Sequence, residues 1–217
     1  VDEETVDDAV SALELLEARG QINGDQVYVL GHSLGAFLAP RIAVQAEEAG
    51  VEPDGLILLA PAARPLEDLI YDQSLYLAEL DGEVSAEEQA QLDELEQQVG
   101  AVRQGDETAE ASELPLGVPA SYWRSLEGYD PLAVAGQLDQ PILALFGERD
   151  YQVTEQDESA WRSAFADEGR VHIEQLANLN HLFMSGSGPS SPAEYEQADN
   201  VDLLVIQRVS AWIRAMR

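Results

Sequence analysis

Residues 27–35 read Val27-Tyr28-Val29-Leu30-Gly31-His32-Ser33-Leu34-Gly35. An apolar run leads straight into a serine that has a glycine two residues away on each side. Glycine is a poor residue inside strands and helices, so two of them at this spacing mark a backbone constraint. The pattern predicts a strand over 26–30 that turns sharply into a helix over 34–49. At such a turn the serine takes a strained position, and small neighbours let strand and helix approach. The Ser33 hydroxyl then stands clear of the sheet. The N–H of Leu34, at the start of the helix, points at the same space and can stabilise an oxyanion. In this reading Gly31, His32 and Gly35 support the turn. The bare five-residue pattern arises by chance; its place between a strand and a helix gives it meaning.

A serine alcohol is inert without a base. His181, in Asn178-Leu179-Asn180-His181-Leu182-Phe183, follows the last strand candidate, at 171–176. Asp150, in Gly147-Glu148-Arg149-Asp150, follows the strand candidate before it, at 141–146. The ends of parallel strands converge on one crevice, so Ser33, Asp150 and His181 can meet there. Ser33 then serves as nucleophile, His181 as general base and acid, and Asp150 as the carboxylate that orients the imidazole. Glu148 is the rival acid, placed less well because it lies nearer the strand. His172, at a strand start, reads as structural. Three histidines and no cysteine make a metal site, a thiolate nucleophile or a disulfide framework untenable.

The remaining pattern is that of an α/β chain. A continuous apolar run over 55–60 has the character of a strand buried on both faces of a parallel sheet. Helices are predicted around Val6, Val10, Leu13 and Leu16, ending at Arg19-Gly20, then over 154–168 and 199–216. Asn23-Gly24-Asp25 reads as a turn, and Pro40 as a bend in the second helix. Strands alternating with helices predict a parallel sheet flanked by helices. Between the second and third strands lie about eighty residues of helical pattern. Leu66, Leu69, Ile70, Leu77 and Leu80 mark one helix. Ser85-Ala86-Glu87-Glu88 opens the next with a capping box. Asp130-Pro131 starts a further short helix. The organisation is therefore an elbow-bearing part of the core (1–62), a helical cap read as a lid (63–138) and the rest of the core (139–217).

The charge is unusual. The chain carries a formal −31, and all eleven basic residues are arginine. The acidic residues are dispersed rather than run together, which matches a solvated surface better than a nucleic-acid mimic. Such a surface fits a high-salt cytoplasm, where screening offsets self-repulsion. Nucleic acid and anionic membranes are disfavoured partners. No leader and no run long enough to span a bilayer is visible.

Taken together, Gly-His-Ser-Leu-Gly, the Gly147–Asp150 turn and the Leu-Asn-His-Leu-Phe stretch resemble the α/β-hydrolase superfamily. They are similar within it to prokaryotic serine esterases of the dienelactone-hydrolase and prolyl-oligopeptidase-like branch, here in an acidic, haloarchaeal-type form. The resemblance implies an α/β-hydrolase fold, of which this chain holds the C-terminal half with about four strands. It implies a small-molecule ester or other acyl substrate and no cofactor, with peptidase, thioesterase and acyltransferase activities open. It also implies strands before the elbow, and a loop carrying a second oxyanion donor, that this chain lacks. The 26–30 strand is then an exposed edge, covered by a missing N-terminal segment or by self-association. The competing reading is a non-catalytic α/β-hydrolase-like binding domain, or an inactive fragment that needs its N-terminal half.

Overall fold

The computed structural model describes residues 1–19 and 26–216. The turn expected at Asn23-Gly24-Asp25, and the Gly20 helix stop, lie outside the described residues. Four strands form one parallel sheet in the order β1 (Tyr28–His32), β2 (Gly55–Leu59), β3 (Ile142–Gly147) and β4 (Val171–Leu176). β2 and β3 are the inner strands. Leu56, Ile57 and Leu58 are at most 1% exposed, as are Ile142 to Phe146, so their side chains are buried on both faces. That is why these two segments read as unbroken apolar runs rather than alternating ones.

β1 differs from its sequence expectation of 26–30. Gly31 does not stop the strand: it pairs with Leu58, and His32 pairs with Leu59. The Ser33 N–H then donates to the Leu59 carbonyl at 2.9 Å, so the ladder holds the chain up to the serine itself. Among the described residues β1 pairs only with β2, and Leu30 is 54% exposed on that strand.

The chain forms two compact units. One comprises the described residues of Asp2–Ala63 and Asp130–Arg217 and holds the sheet. A π-helical turn over Asp2–Asp7 runs into α1 (Asp8–Glu17), and α2 (Leu34–Glu48) follows the elbow. α2 is one helix despite Pro40, and its Ala36, Leu38 and Ala39 are fully buried. The other unit is essentially Arg64–Tyr129. It contains α3 (Leu66–Glu79), α4 (Ala86–Arg103) and α5 (Ala120–Leu126). α3 and α4 run antiparallel, because Arg103 at the end of α4 meets Asp68 at the start of α3 at 2.6 Å. The capping box at Ser85 and Glu88 is formed in both directions.

Back in the sheet unit, α6 (Pro131–Ala135) is capped by Asp130, whose carboxylate accepts from the N–H groups of Leu132 and Ala133. α7 (Glu155–Ala164) ends earlier than the 154–168 pattern suggests: Phe165 leaves helical geometry while its ring stacks on Trp161, centroids 5.4 Å apart. α8 (Leu203–Ala215) closes the fold. No helix among the described residues is long and apolar enough to cross a membrane.

Candidate active site

Three loops leave the C-terminal ends of β1, β3 and β4, and each brings one of the expected side chains. Ser33 sits at φ 53°, ψ −118°, a left-handed strained conformation rare for a residue with a Cβ. It stands at the N-cap of α2 but makes no capping hydrogen bond, so its hydroxyl is free for another partner. That partner is His181, whose Nε2 lies 3.0 Å from Ser33 Oγ. On the other side of the ring, His181 Nδ1 lies 2.8 Å from Asp150 Oδ2.

Both members of that pair are deeply buried, their side chains 5% and 1% exposed. The second Asp150 oxygen accepts from the N–H groups of Gln152 (2.8 Å) and Val153 (2.9 Å), which fixes the carboxylate. An ionised carboxylate only accepts, so His181 carries its proton on Nδ1. Nε2 then presents a lone pair to the Ser33 hydroxyl. The loop bearing His181 is itself held tightly, with left-handed residues on both sides of the histidine, Asn178 at φ 62° and Phe183 at φ 57°.

Glu148, the rival acid, is occupied elsewhere: its carboxylate accepts the Asn178 N–H at 2.8 Å. His172 is exposed on β4 and stands apart from these three residues. Among the described residues no cluster of three or more histidine or carboxylate side chains could hold a metal. Leu34 opens α2, and the first N–H groups of a helix have no carbonyl one turn earlier to bond.

The two glycines of the elbow are not equivalent. A Cβ on Gly31 would run into the Gly35 carbonyl and stand 2.6 Å from the Ala36 nitrogen. A Cβ on Gly35 would meet nothing within 4 Å among the described residues. The expectation that both must be small is therefore corrected: the α2 backbone at position 35 imposes the limit at position 31. Gly31→Ala is expected to cost about 3 kcal/mol or more through overpacking. Gly35→Ala is expected to leave stability unchanged or raise it by up to about 1 kcal/mol, since alanine suits a helix better. Urea unfolding of the two variants checks this.

His32 does more than support the turn. Its Nε2 lies 2.8 Å from the His181 carbonyl oxygen, and a carbonyl only accepts, so Nε2 carries the proton and donates. The two imidazoles lie 4.8 Å apart, and the Phe183 ring packs edge-on to His32. Burial lowers the His32 pKa from its ordinary 6.5, although the His181 carbonyl pulls the other way. The folded chain thus resists protonating His32 while the unfolded chain does not. Stability contributed by this residue is present above pH 6.5 and is lost as the pH falls below it. Unfolding midpoints measured from pH 6.5 downwards should show this loss, and His32→Gln should reduce it.

Sequence reasoning missed what holds the acid and histidine loops together. Gly147 has no room for a Cβ, which would stand 2.6 Å from the Leu179 carbonyl oxygen and 2.8 Å from that of Asn180. Arg149, Asn180 and Glu194 join the same two loops through side chains. The only advance signal was the glycine that opens the acid-bearing turn.

A serine raised on a strained strand-to-helix turn, with an aspartate and a histidine following later strands, is the arrangement of the α/β-hydrolase fold. The chain belongs to the alpha/beta hydrolase family, whose signature matches residues 1–198. It is similar to the esterase EstD of Thermotoga maritima, at 38% identity over 214 residues. That match covers 98% of this chain and 48% of EstD, so the chain spans about half the length of this relative. Among solved structures it resembles an esterase/lipase from an uncultured bacterium, with a TM-score of 0.55, 16% identity, and coverage of 99% of this chain and 60% of that one. It also resembles dipeptidyl peptidase 4 of Porphyromonas gingivalis, with a TM-score of 0.53, 12% identity, and coverage of 99% and 23%. At these identities the two likenesses speak for the fold alone.

Proposed function

We propose that this protein is a serine-dependent acyl hydrolase acting on small carboxylic esters, with Ser33, His181 and Asp150 as its triad. The observation that carries the reading is the unbroken line Ser33 Oγ, His181 Nε2, His181 Nδ1, Asp150 Oδ2, with hydrogen bonds of 3.0 and 2.8 Å. The 38% identity to an esterase favours esters over the peptides and thioesters that the same triad could cleave.

The chemistry follows from the geometry. His181 Nε2 takes the Ser33 proton as Oγ attacks the ester carbonyl. The carbonyl oxygen becomes an oxyanion, which the Leu34 N–H stabilises; a second donor would be worth roughly a hundredfold or more in kcat. The intermediate collapses to an acyl-serine, and His181 hands its proton to the departing alcohol. Water then attacks the acyl group, with His181 again as base, and the carboxylic acid leaves as Ser33 is restored. Asp150 keeps the proton on Nδ1 and stabilises the imidazolium formed at each transfer. No step requires a cofactor.

Turnover of a series of p-nitrophenyl esters by the full-length protein tests this reading. Saturable hydrolysis that disappears in Ser33→Ala is expected. Turnover that survives Ser33→Ala, or its absence from a folded protein, would reject it, the latter in favour of a binding domain.

We also propose that salt stabilises the fold. At −31 the surface carboxylates repel one another, and eleven arginines cannot neutralise forty-two acidic residues. Screening shortens from about 10 Å at 0.1 M salt to about 3 Å at 1 M. The far-UV circular dichroism signal and the unfolding midpoint should both rise with potassium chloride. A full native signal and an unchanged midpoint in dilute buffer would sink the proposal.

A further inference from the structure

Arg149 is adjacent in sequence to Asp150, yet its side chain serves the other loop. It is 7% exposed. Its Nε–H donates to the Gly188 carbonyl at 2.8 Å, and its Nη2 pairs with Glu194. Its backbone N–H donates to the Leu179 carbonyl at 2.8 Å, and its own carbonyl accepts the Ser190 hydroxyl. The second Glu194 oxygen accepts from Asn180 Nδ2 at 2.8 Å. Asn180 is 1% exposed, and its Oδ1 accepts from the N–H groups of Leu182 (3.1 Å) and Met184 (3.0 Å). These contacts clasp the turn on which His181 stands.

A buried guanidinium is an expensive way to hold a loop, because its desolvation offsets much of the ion pair's attraction. What it supplies is direction: the planar fork fixes two acceptors at set angles, which neither an apolar contact nor an ammonium does. Here those acceptors lie on the far side of the His181 loop. The same residue's backbone continues into the carboxylate that orients His181.

We propose that Arg149, Glu194 and Asn180 form a strap that sets His181 against Asp150, with Arg149 as a positioning residue for that pair. The proposal rests on the triad reading above. Gly186 supports it independently. Its backbone is not left-handed, so it has no conformational need to be glycine. A Cβ there would nonetheless strike the Arg149 guanidinium, with Cζ at 2.7 Å. The absence of a side chain at 186 makes room for the strap.

The test compares Arg149→Met, Arg149→Lys, Gly186→Ala and the double variant Arg149→Met/Gly186→Ala in the full-length protein. Four quantities are read: kcat and KM for an ester, the downfield proton resonance of His181 Nδ1, and the melting temperature. Arg149→Met should lower kcat by about tenfold to a hundredfold, the scale of a misplaced catalytic group, with KM little changed. The His181 proton should shift or broaden. Gly186→Ala should act in the same direction although it removes no polar group, and the double variant should be no worse than Arg149→Met. Lysine should restore only part of kcat.

An Arg149→Met protein that melts earlier but keeps its kcat and its His181 resonance would overturn the proposal, leaving the strap as a stability clamp. Additive losses in the double variant would overturn it as well. If Arg149→Met fails to fold, Arg149→Lys and Gly186→Ala carry the same comparison. If the wild-type protein turns over no ester, the triad reading fails. The His181 resonance then still decides the strap, because it reports on the Asp150 contact without any substrate.

Discussion

Replacing His181 with alanine is expected to lower kcat for ester hydrolysis by about a millionfold, the loss seen when a triad base is removed. The size follows from the absence of a substitute. His32 is the nearest other imidazole, but its Nε2–H is committed to the His181 carbonyl at 2.8 Å, and burial disfavours its charged form. His172 stands exposed on β4, away from Ser33. Ser33→Ala should cost about as much, and the pair of changes little more, because nucleophile and base act as one unit. Single-turnover kinetics under saturating ester measure this directly. A loss of only about tenfold in His181→Ala would mean that another group takes the proton, and the assignment would be wrong.

Asp150→Asn is expected to reduce kcat by about ten-thousandfold while leaving the melting temperature nearly unchanged. The carbonyl oxygen of asparagine can still accept from the Gln152 and Val153 N–H groups, as Asp150 Oδ1 does now at 2.8 and 2.9 Å, so the turn survives. The amide NH₂ would then face His181 Nδ1. It can only donate, so the imidazole must move its proton to Nε2, where it meets the Ser33 hydroxyl with no lone pair to offer. Glu148→Gln provides the contrast. Glu148 holds the Asn178 N–H rather than the imidazole, so its loss should cost less than about tenfold. Equal losses in the two variants would reopen the choice of acid.

Much of this arrangement is legible in the sequence. The runs over β2 and β3 read as strands buried on both faces, because short unbroken apolar runs bounded by turn signals leave no polar side for water. Ser33, Asp150 and His181 could be ordered because each followed a strand candidate. The capping signatures at Ser85 and Asp130 announced helices that the structure contains. The end of β1 is not legible in the sequence because Gly31 reads as a stop, whereas its pairing with Leu58 depends on another strand. The equal treatment of Gly31 and Gly35 failed for a similar reason, since only built backbone shows which of them faces an obstacle. The strap was invisible in the sequence. Arg149 and Glu194 are 45 residues apart, and nothing in the composition of either loop links them until the β3 and β4 ends are set side by side.

The most direct test of the central claim is covalent labelling by a fluorophosphonate serine-hydrolase probe in concentrated potassium chloride, read by intact mass and then by peptide mapping. A single adduct is expected, located on Ser33 and lost in both Ser33→Ala and His181→Ala. An adduct on another residue, or none on a demonstrably folded full-length protein, would contradict the account.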